Sequence, residues 1–204
     1  MREREKALMD EDQFWQIIES SREDARKVPR EPIQDFLDVH EQTLAAALRT
    51  LSPEKIIGFN NRFWNAHHRA YRWNLWAAAY WTCGGCGGDG FIDFRACLIS
   101  LGRKAYEQVL RDPDSLAEIV DQPDLPCLQC EGFQYVASKV YREKTGDKIP
   151  LGTEESPLGT EESPLLPRGS PPGPTGERID EEDVEVMRRH FPRLVAKFPK
   201  GGDF

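Results

Sequence analysis

At 204 residues, with 39% hydrophobic, 10% aromatic and 30% charged residues, the chain has globular composition and enough length for one domain with a real core. A formal net charge of -8 argues against a non-specific nucleic-acid binder, because phosphate recognition needs an accumulated positive field. No run has the uninterrupted apolar length of a membrane span, and the opening Met1-Arg-Glu-Arg-Glu-Lys6 has no apolar signal-peptide core, so a cytoplasmic protein is expected.

Residues 1–8 are charged and featureless and read as a disordered N-terminus. Asp10 then caps a helix with Gln13 as reciprocal partner, and Phe14, Ile17 and Ile18 share one face up to a stop between Lys27 and Pro29. A second helix, with Pro32 in its first turn, carries Ile33, Phe36, Leu37, Leu44, Leu48 and Leu51 on one stripe, and His40 on that stripe reads as a core or boundary histidine. Ser52-Pro53-Glu54 is a strong helix start. From there Ile56, Phe63, His67, Trp73, Trp76, Tyr80 and Trp81 keep helical spacing, and after Gly58 no proline or glycine stands before Gly84, which fits one long helix or two in series. His67 and His68 are adjacent on a helix, so at most one of them can face a metal.

After Gly88, Asp89 is placed to cap a helix bearing Phe91, Phe94, Cys97, Leu98 and Leu101 that ends at Gly102. Helices follow at Tyr106–Leu110, around Asp112–Leu116 and at Glu131–Thr145, with Gly146 as the last stop. From residue 149 to 179 the chain reads as a low-complexity linker: Leu151-Gly-Thr-Glu-Glu-Ser-Pro157 repeats without mismatch as residues 158–164, and prolines and glycines follow. Residues 180–204 restore helical pattern at Val184, Met187 and Phe191, in a segment able to dock back on the core.

The chemistry concentrates between Cys83 and Gly88, where four glycines and two cysteines follow an aromatic run. Five cysteines without an export signal predict reduced thiols. Cys83 and Cys86 form one Cys-x-x-Cys pair and Cys127 and Cys130 another, the donor set of a tetrahedral zinc; that reading requires the pairs to converge within about 4 Å of sulfur separation. About two predicted helices separate them, so convergence needs those helices to fold back. Trp81-Thr-Cys83-Gly-Gly-Cys86 also resembles a thioredoxin-type redox motif, without the preceding strand that motif needs. Anion binding by the loop amides is opposed by Asp89 and Asp93. A hydrolase set of Asp89, Asp93, His67 and Arg95 is not demanded by spacing. Glycines used for close packing are the structural alternative.

Leu75-Trp-Ala-Ala-Ala-Tyr80, Gly84-Gly-Cys86, Asp89-Gly-Phe91, Phe94-Arg95, Leu98-Ile99, Gly102-Arg103 and Asp112-Pro-Asp-Ser-Leu116, together with Met9-Asp-Glu-Asp-Gln-Phe-Trp15, Tyr135-Val-Ala137 and Phe191-Pro-Arg-Leu194, resemble the bacterial domain of unknown function (DUF) 4240 family. The resemblance implies a small, mostly helical bacterial protein starting near Met9, and brings no activity with it. It implies cysteine at Cys86 and often at Cys130, but not at Cys83 or Cys127, which argues against a family-wide zinc site. Gly84, Gly85, Asp89, Gly90, Phe91 and Arg95 form the candidate binding loop; the resemblance reads them first as a turn and cap braced by Arg95.

The expected protein is all-α: a single compact helical domain over residues 9–148, a disordered proline- and glycine-rich linker, and a short C-terminal helix. Its expected role is that of a non-enzymatic interaction or regulatory protein with an unknown protein partner, an exposed apolar or acidic face and no buried polar cluster. The alternative is a zinc-binding protein, with one structural zinc on the four cysteines and room for an enzyme; otherwise no cofactor is expected.

Overall fold

The computed structural model describes residues 9–29, 36–119, 130–150, 158–160, 163–167 and 173–199, and for 158–160 and 163–167 the backbone alone. The expected disordered N-terminus, the Pro32 helix start and Cys127 lie outside the described residues. The fold is helical, as the periodicity requires. Its contacts gather in two compact units, one from residues up to 69 and from 131–170, the other from residues 70–130 and 171 onward.

The first unit contains helices α1 (Glu11–Lys27), α2 (Phe36–Arg49) and α3 (Pro53–Arg69). Asp10 caps α1 as its sequence demands, accepting from the Gln13 amide at 2.7 Å. Phe14, Trp15, Ile18 and Ala25 of α1 are buried, and α1 packs on α2, whose Leu44 and Leu48 are fully covered. Phe14 meets Phe59 of α3 with ring centres 5.0 Å apart. Later in the chain a 3-10 turn (Gly132–Tyr135) runs into the helix Val136–Thr145, which packs on both α2 and α3. Gly132 lies under the Glu41 carboxylate, the flexible end of a side chain that a Cβ would push aside. Leu158–Thr160, in the second copy of the tandem repeat, and Ser163–Pro167, which runs past its end, pair as an antiparallel hairpin with Leu158 opposite Pro167.

A buried polar cluster, which the expected interaction protein was to lack, sits between α1 and α2. Ser21 Oγ donates to the Ile18 carbonyl at 2.9 Å and lies 3.0 Å from His40 Nε2. A serine proton given to Ile18 makes His40 Nε2 the donor of this pair, and among the described residues Nδ1 is buried without a hydrogen-bond partner. This is the reverse of a serine activated by a basic histidine. Desolvation first, then the Arg22 charge, pushes the His40 pKa from 6.5 down to about 3. The cluster is structural, and it makes stability pH-dependent. An unfolded histidine takes up a proton below 6.5 whereas the folded one stays neutral to about 3, so the contribution is complete above pH 6.5 and is lost as pH falls. Urea unfolding should show about 2 kcal/mol less stability at pH 5 than at pH 7. His40→Gln should flatten that dependence; an equal pH slope in the variant would refute the assignment.

The second unit begins with α4 (Trp73–Thr82), α5 (Gly88–Ser100) and α6 (Arg103–Arg111), followed by a 3-10 turn (Pro113–Ser115) and the short α7 (Leu116–Ile119). With the helix Val136–Thr145 of the first unit as α8, the last two helices are α9 (Val184–His190) and α10 (Pro192–Lys197). Leu75, Ala78 and Ala79 of α4 and Phe91, Phe94, Leu98 and Ile99 of α5 are 1% exposed or less, and Tyr106 and Val109 of α6 are fully covered. The C-terminal segment does return: α10 packs on α4, α7 and the 3-10 turn, and Trp81 Nε1 donates to the Phe198 carbonyl at 2.9 Å.

Candidate functional site

The aromatic run and the glycine loop form one structure in the second unit. The helical run from Pro53 is two helices in series, broken at Ala70–Arg72 where no proline or glycine stands; Arg72 is extended (φ -135°, ψ 143°). The break has a tertiary cause. The Tyr71 carbonyl accepts from the Thr175 amide and the Trp73 amide donates to the Thr175 carbonyl, both at 3.0 Å, so an extended strand-like bridge replaces a turn of helix. On α4, Trp73, Trp76 and Tyr80 stand at i, i+3 and i+7 and are half-buried, while Leu75, Ala78, Ala79 and Thr82 on the other side are buried.

The glycine loop closes α4. The Cys83 amide donates to Ala79 and the Gly85 amide to Tyr80, each at 2.9 Å, with Gly84 at φ 67° and Gly85 at φ 133°. Both φ values lie in the region that a Cβ makes costly. At Gly85, Gly87 and Gly88 an added Cβ would meet nothing within 4 Å, so close packing is not what these glycines serve. Trp76 Nε1 donates to the Cys86 carbonyl at 3.0 Å and pins the loop against the helix.

Asp89 does not cap α5. Gly87, extended at φ -78° and ψ -177°, is the N-cap, and Asp89 lies exposed in the first turn, where its charge complements the helix dipole. Flanking glycines let the chain enter the helix two residues before the aspartate. Gly90 sits one position further, where a Cβ would lie 3.7 Å from Cys86 Sγ in ordinary contact. Phe91 is fully buried and Arg95 is 4% exposed. Phe91 lies 4.7 Å from Trp76, 6.0 Å from Phe94 and 6.1 Å from Tyr71.

The Arg95 guanidinium stands 4.6 Å from the Tyr71 ring centre and 4.9 Å from that of Phe91, and its Nε donates to the Phe91 carbonyl at 3.1 Å. Desolvation lowers its pKa to about 10, which leaves it charged at neutral pH, held by two ring faces. Arg95 thus holds the start of α5 to the Tyr71 ring, and of the candidate loop residues Phe91 and Arg95 are buried while Gly84 and Asp89 are exposed.

Cys83 and Cys86 are half-buried thiols, Cys130 is buried, and none of them is in a disulfide. Burial pushes the Cys86 pKa up to about 11, against the opposing pull of Arg95, so it is a neutral thiol at pH 7. A thioredoxin-type nucleophile needs the opposite shift. Among the described residues, no three His, Cys, Asp or Glu side chains gather into a metal-binding group; Cys127, the fourth proposed ligand, lies outside them. His67, from the hydrolase set, belongs to the first unit, fully buried and stacked on Phe63 with ring centres 6.0 Å apart.

Two contacts were invisible to motif reading. Arg178 places its guanidinium 5.2 Å from the Trp73 ring centre. Arg193 reaches Asp114 at 3.0 Å and Glu118 at 2.6 Å and also pairs with Asp112. The partners lie 75 to 81 residues away, and nothing local in either segment announces the pairing.

The fold and site therefore define a helical protein with a half-buried aromatic stripe on a helix closed by a glycine turn, and a buried, ring-stacked arginine in the helix that follows. Residues 9–143 match the family described as "Protein of unknown function (DUF4240)", and the chain belongs to that family. No curated protein and no solved structure matches it. Among the described residues, no helix is long and apolar enough to cross a membrane.

Proposed function

We propose that the chain is a non-enzymatic interaction or regulatory protein that meets a protein partner through the α4 face carrying Trp73, Trp76 and Tyr80. The observation that carries this reading is that stripe: three large amphipathic rings at helical spacing, each left half-buried while the opposite side of the same helix is covered. Tryptophan and tyrosine are enriched at contact surfaces because each brings a large apolar area, a polar tip and little rotamer entropy to lose. The rings are also held in place. Trp73 and Trp76 lie 5.6 Å apart, and Trp76 is fixed by its bond to the Cys86 carbonyl, so the surface is preorganised. The net charge of -8 favours a partner of basic character.

The test is photo-crosslinking in the producing cell, with a photoreactive amino acid in place of Tyr80 and, as control, in place of the exposed Glu182. A discrete adduct from position 80, absent from position 182 and lost with Trp73→Ala, is expected. No adduct from position 80, or the same adducts from both positions, would remove the proposal.

A further inference from the structure

The contact surface just proposed carries, at its N-terminal end, a segment of the chain itself. Residues 173–178, Gly-Pro-Thr-Gly-Glu-Arg, run along the break before α4. Thr175 is bridged in parallel to Arg72 through both its backbone groups, its Oγ1 lies 3.4 Å from the Tyr71 carbonyl, and three residues later Arg178 covers Trp73 at 5.2 Å. This is the geometry by which an extended peptide is recognised at an edge: main-chain bonds supply register and one side-chain contact supplies choice. Thr175, Gly176, Glu177 and Arg178 are all exposed, and over these four residues the contact consists of the bridge, the Thr175 hydroxyl and one cation–ring stack, before Ile179 enters the core.

Resting on the reading of this face as a contact surface, we infer that the Tyr71–Trp73 edge is a binding site for an extended peptide bearing an arginine three residues after its bridging residue. The chain's own 173–178 segment occupies the site as an internal, displaceable copy of that ligand. The Arg72 position supplies the backbone edge and the Trp73 ring selects the guanidinium, for which indole is the best aromatic face. The internal copy carries Glu177, and Asp180 follows two residues after its arginine. A partner segment without acids there would gain from the chain's net charge of -8, which provides a reason for displacement.

The probe is a fluorescein-labelled peptide of residues 173–180, titrated by anisotropy into the full chain and into the full chain with Thr175→Pro and Arg178→Ala. The two exposed substitutions remove the Thr175 amide's half of the bridge and the cation–ring stack. Because the apparent affinity of an occupied site is reduced by its open fraction, the substituted chain should bind the peptide about tenfold or more tightly than the intact chain. Trp73→Leu in the substituted chain, or alanine at the arginine of the peptide, should weaken binding about two- to fivefold. Equal affinity for both chains, no binding to the substituted chain, or indifference to both the indole and the arginine would overturn the inference. Crosslinking at position 80 with a failed peptide titration would leave the contact surface standing and remove only this ligand. A successful titration without crosslinking would do the reverse.

Discussion

Phe91→Ala is expected to lower the unfolding free energy by about 3–5 kcal/mol, the range for deleting a fully buried phenylalanine that cannot be backfilled. The collapse is limited because the ring touches others that are pinned. Trp76 is tied to the Cys86 carbonyl, Phe94 stacks on Phe91 at 6.0 Å, and the Tyr71 ring carries the Arg95 guanidinium at 4.6 Å. Arg95 would lose one of its two ring faces while remaining 4% exposed in the parent structure, so a desolvated charge is left less compensated. Domains are stable by only about 5–15 kcal/mol, so this one truncation removes a large share. Chemical denaturation followed by tryptophan fluorescence measures it; a loss under about 1 kcal/mol would mean that the site is not the packed unit described.

Asp114→Ala should cost about 2–4 kcal/mol and release the C-terminal helices. The carboxylate is 5% exposed and accepts from the Arg193 and Leu194 amides at 3.1 and 2.9 Å and from Arg193 Nε at 3.0 Å. It therefore caps α10 from across the unit, and its removal leaves two amides and a guanidinium to find new partners. Arg193→Ala should be milder, about 1 kcal/mol or less, because that side chain is 42% exposed and its pairs with Asp112 and Glu118 are screened by solvent. The order of the two effects is the discriminating point. Tryptic cleavage at Arg188 and Arg189 should accelerate markedly in Asp114→Ala and little in Arg193→Ala; unchanged cleavage in both would show that Asp114 does not hold the segment.

Much of the helical layout was legible in the sequence. Asp10 with Gln13 marked the start of α1, and Ser52-Pro53 marked α3, where the Lys55 amide lies 3.4 Å from Ser52 Oγ. Gly102 and Gly146, at φ 92° and 81°, ended helices where expected. The turn between α4 and α5 stands where the glycines placed it, but the cap of α5 does not stand at Asp89. Asp89 looked like the cap because aspartate is the stronger capping residue in isolation, whereas the closed α4 end delivers the chain to Gly87 in extended form. The hairpin at Leu158–Thr160 and Ser163–Pro167 was read as linker, since three- and five-residue strands, the second with prolines at two of its five positions, leave no usable alternation.

The sequence by itself determined the helical class, most helix ends and the place of the unusual loop, because caps, prolines, glycines and apolar spacing act over three or four residues and are written consecutively. Only the tertiary structure decided that the helix breaks at Tyr71–Arg72, that Arg178 lies on Trp73, and that Arg193 enters the carboxylates of Asp112, Asp114 and Glu118. Each of these joins segments 75 or more residues apart, with no local preference to reveal it. At Tyr71 the local preference was for helix. Two backbone bonds to Thr175 and the burial of Phe91 beneath the rings outweighed it, since propensity is worth only tenths of a kcal/mol per residue and packing is worth several.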